Sequence, residues 1–165
     1  MTPRRIELLG KGHERSQFDC GDVSLNDFLR THAGQDSRRD ISKTYVAVGA
    51  ESNVVLGYYA ISTGSVAFEH LPEELAKRLP KYPIPTVHLG RLAVDRSVQQ
   101  TGLGTLLLID ALKRVLALAE HVGICGVTVD AKNPKAKRFY KSRGFLSLSD
   151  DTLHLFLPMA SIRKL

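Results

Sequence analysis

Val87-His88-Leu89-Gly90-Arg91-Leu92-Ala93-Val94-Asp95, followed closely by Gln99-Gln100-Thr101-Gly102-Leu103-Gly104, is the stretch on which the fold turns. Its first part is an apolar run of strand length that closes on an Asp. Its second part is a short polar loop with two glycines. From Leu103 to Ala119 the chain then shows its strongest periodicity. Leu108, Ala111, Leu112, Val115, Leu116 and Ala119 share one face, and Asp110, Lys113 and Arg114 lie off it, as in an amphipathic helix. A glycine loop opening on a helix N-terminus presents amides with no intrahelical partner and the positive end of the dipole, a seat for phosphate. The glycines would let a pyrophosphate approach the backbone. The third glycine of the dinucleotide fingerprint and the GK[ST] of the P-loop are both missing. Taken alone, the loop is either a tight turn or a pyrophosphate cradle.

Upstream, Arg5 to Leu9 predicts a short first strand. Ser24 reads as an N-cap with Asp27 in the first turn, and Leu25, Phe28 and Leu29 share a face of a helix running to about Thr31. Gly34 punctuates that pattern, and a second short helix is expected over 35–39. Thr44 to Val48 and Val54 to Ser62 read as a β-hairpin around Glu51-Ser52-Asn53. Pro72 to Lys77 is a helical piece, after which Pro80, Pro83 and Pro85 hold an extended connection. Downstream, Val127 to Asp130 is a strand, and Asn133-Pro134 is a cap with an N1 proline for a helix to about Arg143. Gly144 stands at its C-cap, and Leu153 to Leu157 is a last strand. Strand, helices, hairpin, strand, helix, strand, helix, strand is the order of a three-layer α/β domain around one mixed sheet. A single domain over 1–165 is expected, with no internal repeat or linker.

Composition narrows the classes. At 43% hydrophobic residues the 165-residue chain can bury a real core. No apolar run reaches the ~18 residues of a membrane span. The opening Met1-Thr2-Pro3-Arg4-Arg5 lacks the apolar core of a secretory signal, so a cytoplasmic protein is expected. Cys20 and Cys125 read as reduced thiols, and the six histidines show no metal-ligand spacing, so no metal is expected. The net charge of +6, with a pI near 9.5, fits either a cationic solvated surface or an anionic partner.

Two motifs carry a resemblance. Gln99-x-x-Gly102-x-Gly104 resembles the acetyl-CoA loop, Gln/Arg-x-x-Gly-x-Gly/Ala, of the GNAT superfamily of N-acetyltransferases. Arg91-Leu92-Ala93-Val94 is similar to that family's fourth strand, whose splayed end hydrogen-bonds the pantetheine arm. Many members have Gly where this chain has Gln100, so Gln100 has to adopt the loop's backbone angles. Asn133-x-x-Ala136-x-x-Phe139-Tyr140-x-x-x-Gly144-Phe145 resembles the family's closing motif. The resemblance implies a three-layer GNAT fold with a central mixed, mostly antiparallel sheet flanked by helices. It implies acetyl-CoA as co-substrate, bound by Leu92, Ala93, Val94, Gln99, Gln100, Thr101, Gly102, Leu103, Gly104 and Thr105, with Asn133, Ala136 and Phe139 adding contacts. It places Tyr140 near the thioester sulfur. Phe139 also has a plain reading as a core aromatic.

Acetyl transfer to an amine needs a neutral nitrogen, a polarised carbonyl and a protonated leaving thiolate. Tyr140 suits the last role, since its ordinary pKa of about 10 exceeds a thiol's of about 8.5. Asp95 and Asp130 are candidates for a base by position only, and each also reads as a turn or capping residue. Lys132, Lys135, Lys137, Arg138, Lys141 and Arg143 stand together with no acid among them. They form either a solvated face or a surface for a polyanion.

From about His13 to Leu157 the chain is similar to one branch of the superfamily, the acetyltransferase toxins of type II toxin–antitoxin systems. The likeness is carried by Phe18-Asp19-Cys20-Gly21, Leu25-Asn26-Asp27-Phe28-Leu29, Ala33-Gly34-Gln35-Asp36 and Leu79-Pro80-Lys81-Tyr82-Pro83-Ile84-Pro85. It implies a bacterial toxin that acetylates the α-amino group of aminoacyl-tRNA and blocks translation. The implied partners are a ribbon-helix-helix antitoxin and operator DNA reached through that antitoxin, with a homodimer as one possible assembly. By analogy Arg91 helps to place the tRNA acceptor end, although on a strand it could also pair with a core carboxylate. Two other readings stay open: acetyl transfer to a protein N-terminus, a lysine or a small amine, and a non-catalytic DNA-binding corepressor.

Overall fold

The computed structural model describes residues 4–150 and 153–165; residues 1–3 and 151–152 of the expected 1–165 domain lie outside the described residues. Its strands are β1 (Arg4–Leu8), β2 (Lys43–Gly49), β3 (Val55–Val66), β4 (Ile84–Val94), β5 (Gly126–Asp130), β6 (Leu146–Ser147) and β7 (His154–Pro158). They form one seven-stranded sheet in the order β1-β2-β3-β4-β5-β7-β6. β4 and β5 run parallel, while β1–β2, β2–β3, β5–β7 and β6–β7 are antiparallel. The helices are α1 (Val23–Asp27), α2 (Ala33–Arg38), α3 (Glu73–Ala76), α4 (Leu103–Leu118), α5 (Pro134–Lys141) and α6 (Met159–Ile162). This is the mixed α/β GNAT architecture that the motifs imply.

The chain divides into two compact units. The first takes in the chain up to Ser62 together with Gly90–Ala111, and the second is Thr63–Leu89 with Leu112–Leu165. In the first unit, Phe18, Phe28, Leu29, Val46, Val48, Tyr58 and Ala60 form the core. Here the first helical region departs from expectation. Asp22, not Ser24, is the N-cap, its side chain accepting from Leu25 N, and the Ser24 hydroxyl donates to that same carboxylate at 2.7 Å. Gly34 does not break the helix. A π-helical turn, Phe28–His32, joins α1 to α2, and Ala33 N donates to Phe28 O. Such turns insert a residue without ending the helix and collect at functional sites. Gly57 is required by packing: a Cβ there would lie 2.9 Å from Leu107 Cδ1 and 3.1 Å from Ala93 O.

In the second unit Val66, Leu71, Ile84, Leu148 and Phe156 form a core of their own. β4 begins at Ile84, three residues before the apolar run, and Pro85 lies inside it; the Pro85 carbonyl accepts from Cys125 N at 2.8 Å. A proline that gives only its carbonyl is compatible with a strand. β6 and α6 are additional elements that their shortness hid. On α4, Leu103, Leu107, Leu108, Ala111, Leu112 and Val115 are buried, while Leu116 and Ala119 are partly exposed, so the apolar face lies one turn nearer the N-terminus than its pattern suggests. The tightest packing is at Gly126, where a Cβ would meet Leu157 O at 2.3 Å and the Phe156 ring at 2.7 Å. Gly126→Ala is expected to cost about 3 kcal/mol or more, because a sheet backbone and a buried ring must both move. Chemical denaturation of wild type and variant checks this.

Candidate active site

In the first unit, the loop between β4 and α4 is held by its own side chains. The Asp95 carboxylate accepts from Ser97 N at 3.0 Å, Ser97 Oγ at 2.6 Å and Asp19 N at 2.9 Å. Partial burial opposes its ionisation, but these hydrogen bonds prevail and hold the carboxyl below its usual range. Asp95 is thus consumed as a cap. Gln99 Nε2 donates to Val94 O and to Cys20 O, both at 3.0 Å, and the Thr101 hydroxyl donates to Val98 O at 2.6 Å. Gln99 and Thr101 therefore brace the loop with their side chains, which leaves backbone amides as its ligand-facing groups. Gln100 has φ +65° and Gly102 φ +91°. Gln100 thus carries the left-handed angle that the motif's usual glycine adopts freely, at a cost of about 1 kcal/mol.

Leu103 is buried and roots the first turn of α4. At Gly104 a Cβ would meet only Val94 Cγ2, at an ordinary 3.8 Å. Nothing within the chain requires a glycine there; close approach of a ligand would. The loop, the left-handed Gln100 and Gly102, and the start of α4 with Thr105 fit a pyrophosphate seated on backbone amides. Leu92 and Val94 are half-buried and Ala93 is buried. Beside them Arg91 is exposed, and its guanidinium lies 3.8 Å above the centroid of Phe28. Phe28, the first residue of the π turn, stacks in addition on His32 and Tyr58, with centroids 6.5 and 6.0 Å apart. Among the described residues the partner of Arg91 is thus an aromatic face, not a core carboxylate.

In the second unit, α5 is built as the motif requires. Asn133 caps it, its Oδ1 accepting from Ala136 N at 2.9 Å. Its amide NH₂ is then the group it can offer a ligand. At the other end Gly144 N donates to Lys141 O at 3.1 Å and Phe145 N to Tyr140 O at 3.3 Å, with Gly144 at φ +97°. This double bond pattern is a Schellman motif, whose apolar clasp here is Phe145 against Tyr140. The Gly-Phe that closes the sequence motif thereby fixes the catalytic candidate. Tyr140 is 7% exposed, edge-on to Phe139 at 5.2 Å and to Phe145 at 5.3 Å. Burial pushes its hydroxyl pKa well above the ordinary tyrosine value. Ala136 and Phe139 are half-buried beside it, so Phe139 is not a fully enclosed core residue.

The cations point the other way. Lys132, Lys135, Arg138, Lys141 and Arg143 are exposed and Lys137 is half-buried. The Arg143 guanidinium stands 5.5 Å from the Phe139 centroid. One short helix thus carries a buried tyrosine on its inner side and a basic surface on its outer side.

The structure also assembles a polar line that sequence reading missed. The β4–β5 ladder runs from Thr86↔Gly126 to Leu89↔Val129. His88 and Asp130 flank its last pair, with His88 Nε2 3.3 Å from Asp130 Oδ2. On β7, His154 lies opposite Asp130 in register, Nε2 to Oδ1 3.7 Å. His154 Nδ1 is 3.1 Å from Asp150 Oδ2, and His70 Nδ1 is 3.8 Å from that same oxygen. These five residues come from four separate stretches of chain, and only register brings them together. Among the described residues no group of histidine, cysteine and acids is arranged to hold a metal ion.

The fold and these two motif sites define a class. The family model for the acetyltransferase (GNAT) domain matches residues 17–161, and the chain belongs to that family of acyltransferases. It is 36% identical over 164 residues, 99% of this chain and 95% of the relative, to the tRNA-acetylating toxin of Mycobacterium tuberculosis. Among solved structures it is similar to AtaT complexed with acetyl-methionyl-tRNAfMet, with a TM-score of 0.92 and 37% identity over 98% of each chain. It is similar to AtaTR bound with AcCoA, with a TM-score of 0.86 and 37% identity over 98% of this chain and 96% of the other. It is also similar to AtaT in the AtaT–AtaR complex bound to DNA, with a TM-score of 0.77 and 37% identity over 97% of each chain.

Proposed function

We propose that the chain is the toxin of a type II toxin–antitoxin system, a single acetyltransferase domain that moves the acetyl group of acetyl-CoA to the α-amino group of aminoacyl-tRNA. The observation that carries this reading is α5, where a buried tyrosine and an acid-free basic surface occupy opposite sides of eight residues. The near full-length similarity to proteins named for tRNA acetylation supports it. In this reading the amides of the Gln99 to Thr105 loop hold the pyrophosphate, and Leu92–Val94 hydrogen-bond the pantetheine arm through their backbone. Tyr140 hydrogen-bonds and protonates the departing thiolate. Arg91, held flat on Phe28, and the cations of 132–143 bind the tRNA. A ribbon-helix-helix antitoxin restrains the toxin and carries it to operator DNA, as the AtaT–AtaR complex bound to DNA suggests by analogy. No helix of the described residues is long and apolar enough to cross a membrane.

The chemistry favours an α-amine. A free α-amino group titrates near roughly 7.7–8.0, and esterification removes the neighbouring carboxylate charge and lowers this further, whereas a lysine amine titrates near 10.4. The direct test is incubation with acetyl-CoA and charged tRNA, followed by mass spectrometry of the released aminoacyl groups. N-acetylated aminoacyl groups are the expected product, and their absence would refute the reading. The basic surface has its own test. Replacing Lys135, Lys137 and Arg138 by Ala is expected to weaken tRNA binding and to flatten the plot of log affinity against log salt by about two to three units of slope, one per lost phosphate contact. Acetyl-CoA affinity changes little. An unaltered salt slope would make these cations a solvated face.

A further inference from the structure

We propose that Asp130, held between His88 and His154, receives the ammonium of the acceptor amine and takes its proton, and that the imidazoles pass that proton to solvent. The proposal rests on amine acetylation, the family's reaction, and not on tRNA as the acceptor.

The geometry argues for it in three ways. First, the carboxylate is presented to solvent. The Asp130 side chain is 62% exposed, against 26% for His88 and 22% for His154. It caps no helix among the described residues, in contrast to Asp95, the other acid that position suggested. Second, both imidazoles are turned by their far nitrogens. Nδ1 of His88 is 2.9 Å from the buried Thr128 hydroxyl and Nδ1 of His154 is 3.1 Å from Asp150, so each ring directs Nε2 at a different oxygen of Asp130. Third, the cluster sits where the strands stop pairing: His88 and Asp130 bracket the end of the β4–β5 ladder, whose last pair is Leu89↔Val129.

Among the described residues, His88 from β4 and His154 from β7 reach Asp130, and Lys132 follows two residues later in the chain. Behind them Asp150 keeps its charge: burial works against ionisation, but the hydrogen bond and charge of His154 and the charge of His70 outweigh it. The line therefore alternates His88, Asp130, His154, Asp150, His70. An imidazole can take a proton on one ring nitrogen and give one up from the other, so such a line accepts protons at its exposed carboxylate and releases them at its far end.

The step balances. The ammonium nitrogen gives a proton to Asp130 and becomes nucleophilic. Its lone pair forms the C–N bond to the acetyl carbonyl, the C–S bond breaks, and the thiolate takes the Tyr140 proton. The nitrogen then sheds a second proton. One of the two protons restores the Tyr140 hydroxyl and the other reaches solvent, so one ammonium and one thioester yield an amide, a thiol and one proton.

The test is single-turnover acetylation from about pH 6 to pH 9, on either side of the amine's own titration. Two acceptors are used, charged tRNA and an amino-acid methyl ester, with wild type, Asp130→Asn, Asp130→Glu and His88→Gln. Asp130→Asn is expected to be slower by about tenfold near pH 6 and by less than about threefold near pH 9, where the amine is neutral without help. Asp130→Glu restores most of the rate, and His88→Gln shows a smaller deficit with the same pH trend. Calorimetry with acetyl-CoA and melting curves should match wild type throughout. A deficit independent of pH, or none, overturns the proposal. If wild type acetylates the ester and not tRNA, the tRNA reading fails while the ester series still decides the role of Asp130. If wild type acetylates neither acceptor, both readings fall.

Discussion

Tyr140→Phe lowers single-turnover acetyl transfer to charged tRNA by about 10²–10⁴, the usual cost of losing one positioned proton donor. The ring stays, so its edge-on contacts with Phe139 and Phe145 and the clasp that ends α5 are retained. In the proposed reading the hydroxyl acts chiefly as the thiolate forms, and an interaction confined to the transition state affects the rate and not the binding of acetyl-CoA. Burial raises the pKa of Tyr140, which keeps the donor protonated across the whole working range. The variant's rate deficit should therefore be the same at every pH, in contrast to the pH-dependent deficit expected of Asp130→Asn. Rapid-quench kinetics at saturating acetyl-CoA, with calorimetric affinity and melting curves alongside, measure all three quantities. A rate within a few-fold of wild type would remove Tyr140 from the role of general acid.

Gly104→Asp raises the dissociation constant for acetyl-CoA roughly 100-fold, equivalent to one or two lost charge-assisted hydrogen bonds at about 1.5–3 kcal/mol each. The chain itself has room for the side chain, because the first atom added meets only Val94 Cγ2 at 3.8 Å. A carboxylate in the first turn of α4 is moreover favourable to the helix dipole by about 0.3–1 kcal/mol. The variant should thus melt no lower than wild type while losing the cofactor. The same charge that complements the helix end competes with the pyrophosphate for it. Calorimetry and a thermal melt on one preparation check both halves, and unchanged affinity would take the loop out of the site.

The contrast between Asp95 and Asp130 shows how far a sequence can be read. Both stand at the end of a strand and before a glycine loop or a capped helix, and local pattern assigns them the same two roles. The structure separates them: Asp95 accepts three hydrogen bonds and is a cap, and Asp130 faces two imidazoles. Nothing within ten residues of Asp130 announces His88 or His154, because strand register joins positions that are distant in the chain. Arg91 is similar. Its place on β4 could be read, but Phe28 reaches it only through a π turn, and an inserted residue within a helix leaves no mark on the hydrophobic period. Ser24 and Gly34 misled for a local reason. Either of the two polar residues flanking Val23, Asp22 and Ser24, can cap, and a glycine inside a helix costs only about 1 kcal/mol against alanine, which packing of Leu29 and Ala33 outweighs.

What the sequence by itself determined is whatever depends on short spacing. The strand–glycine loop–helix unit, the Asn133–Pro134 start of α5, the Gly144–Phe145 clasp on Tyr140 and the succession of elements all follow from dihedral preferences, caps and a helical period, which act over a few residues. Burial of Tyr140, exposure of the cations around it, the seat of Arg91 on Phe28 and the line from His88 to His70 were decided only by the tertiary structure. Each requires knowing which distant backbone lies alongside, and that is settled by strand register, not by any run of neighbouring residues.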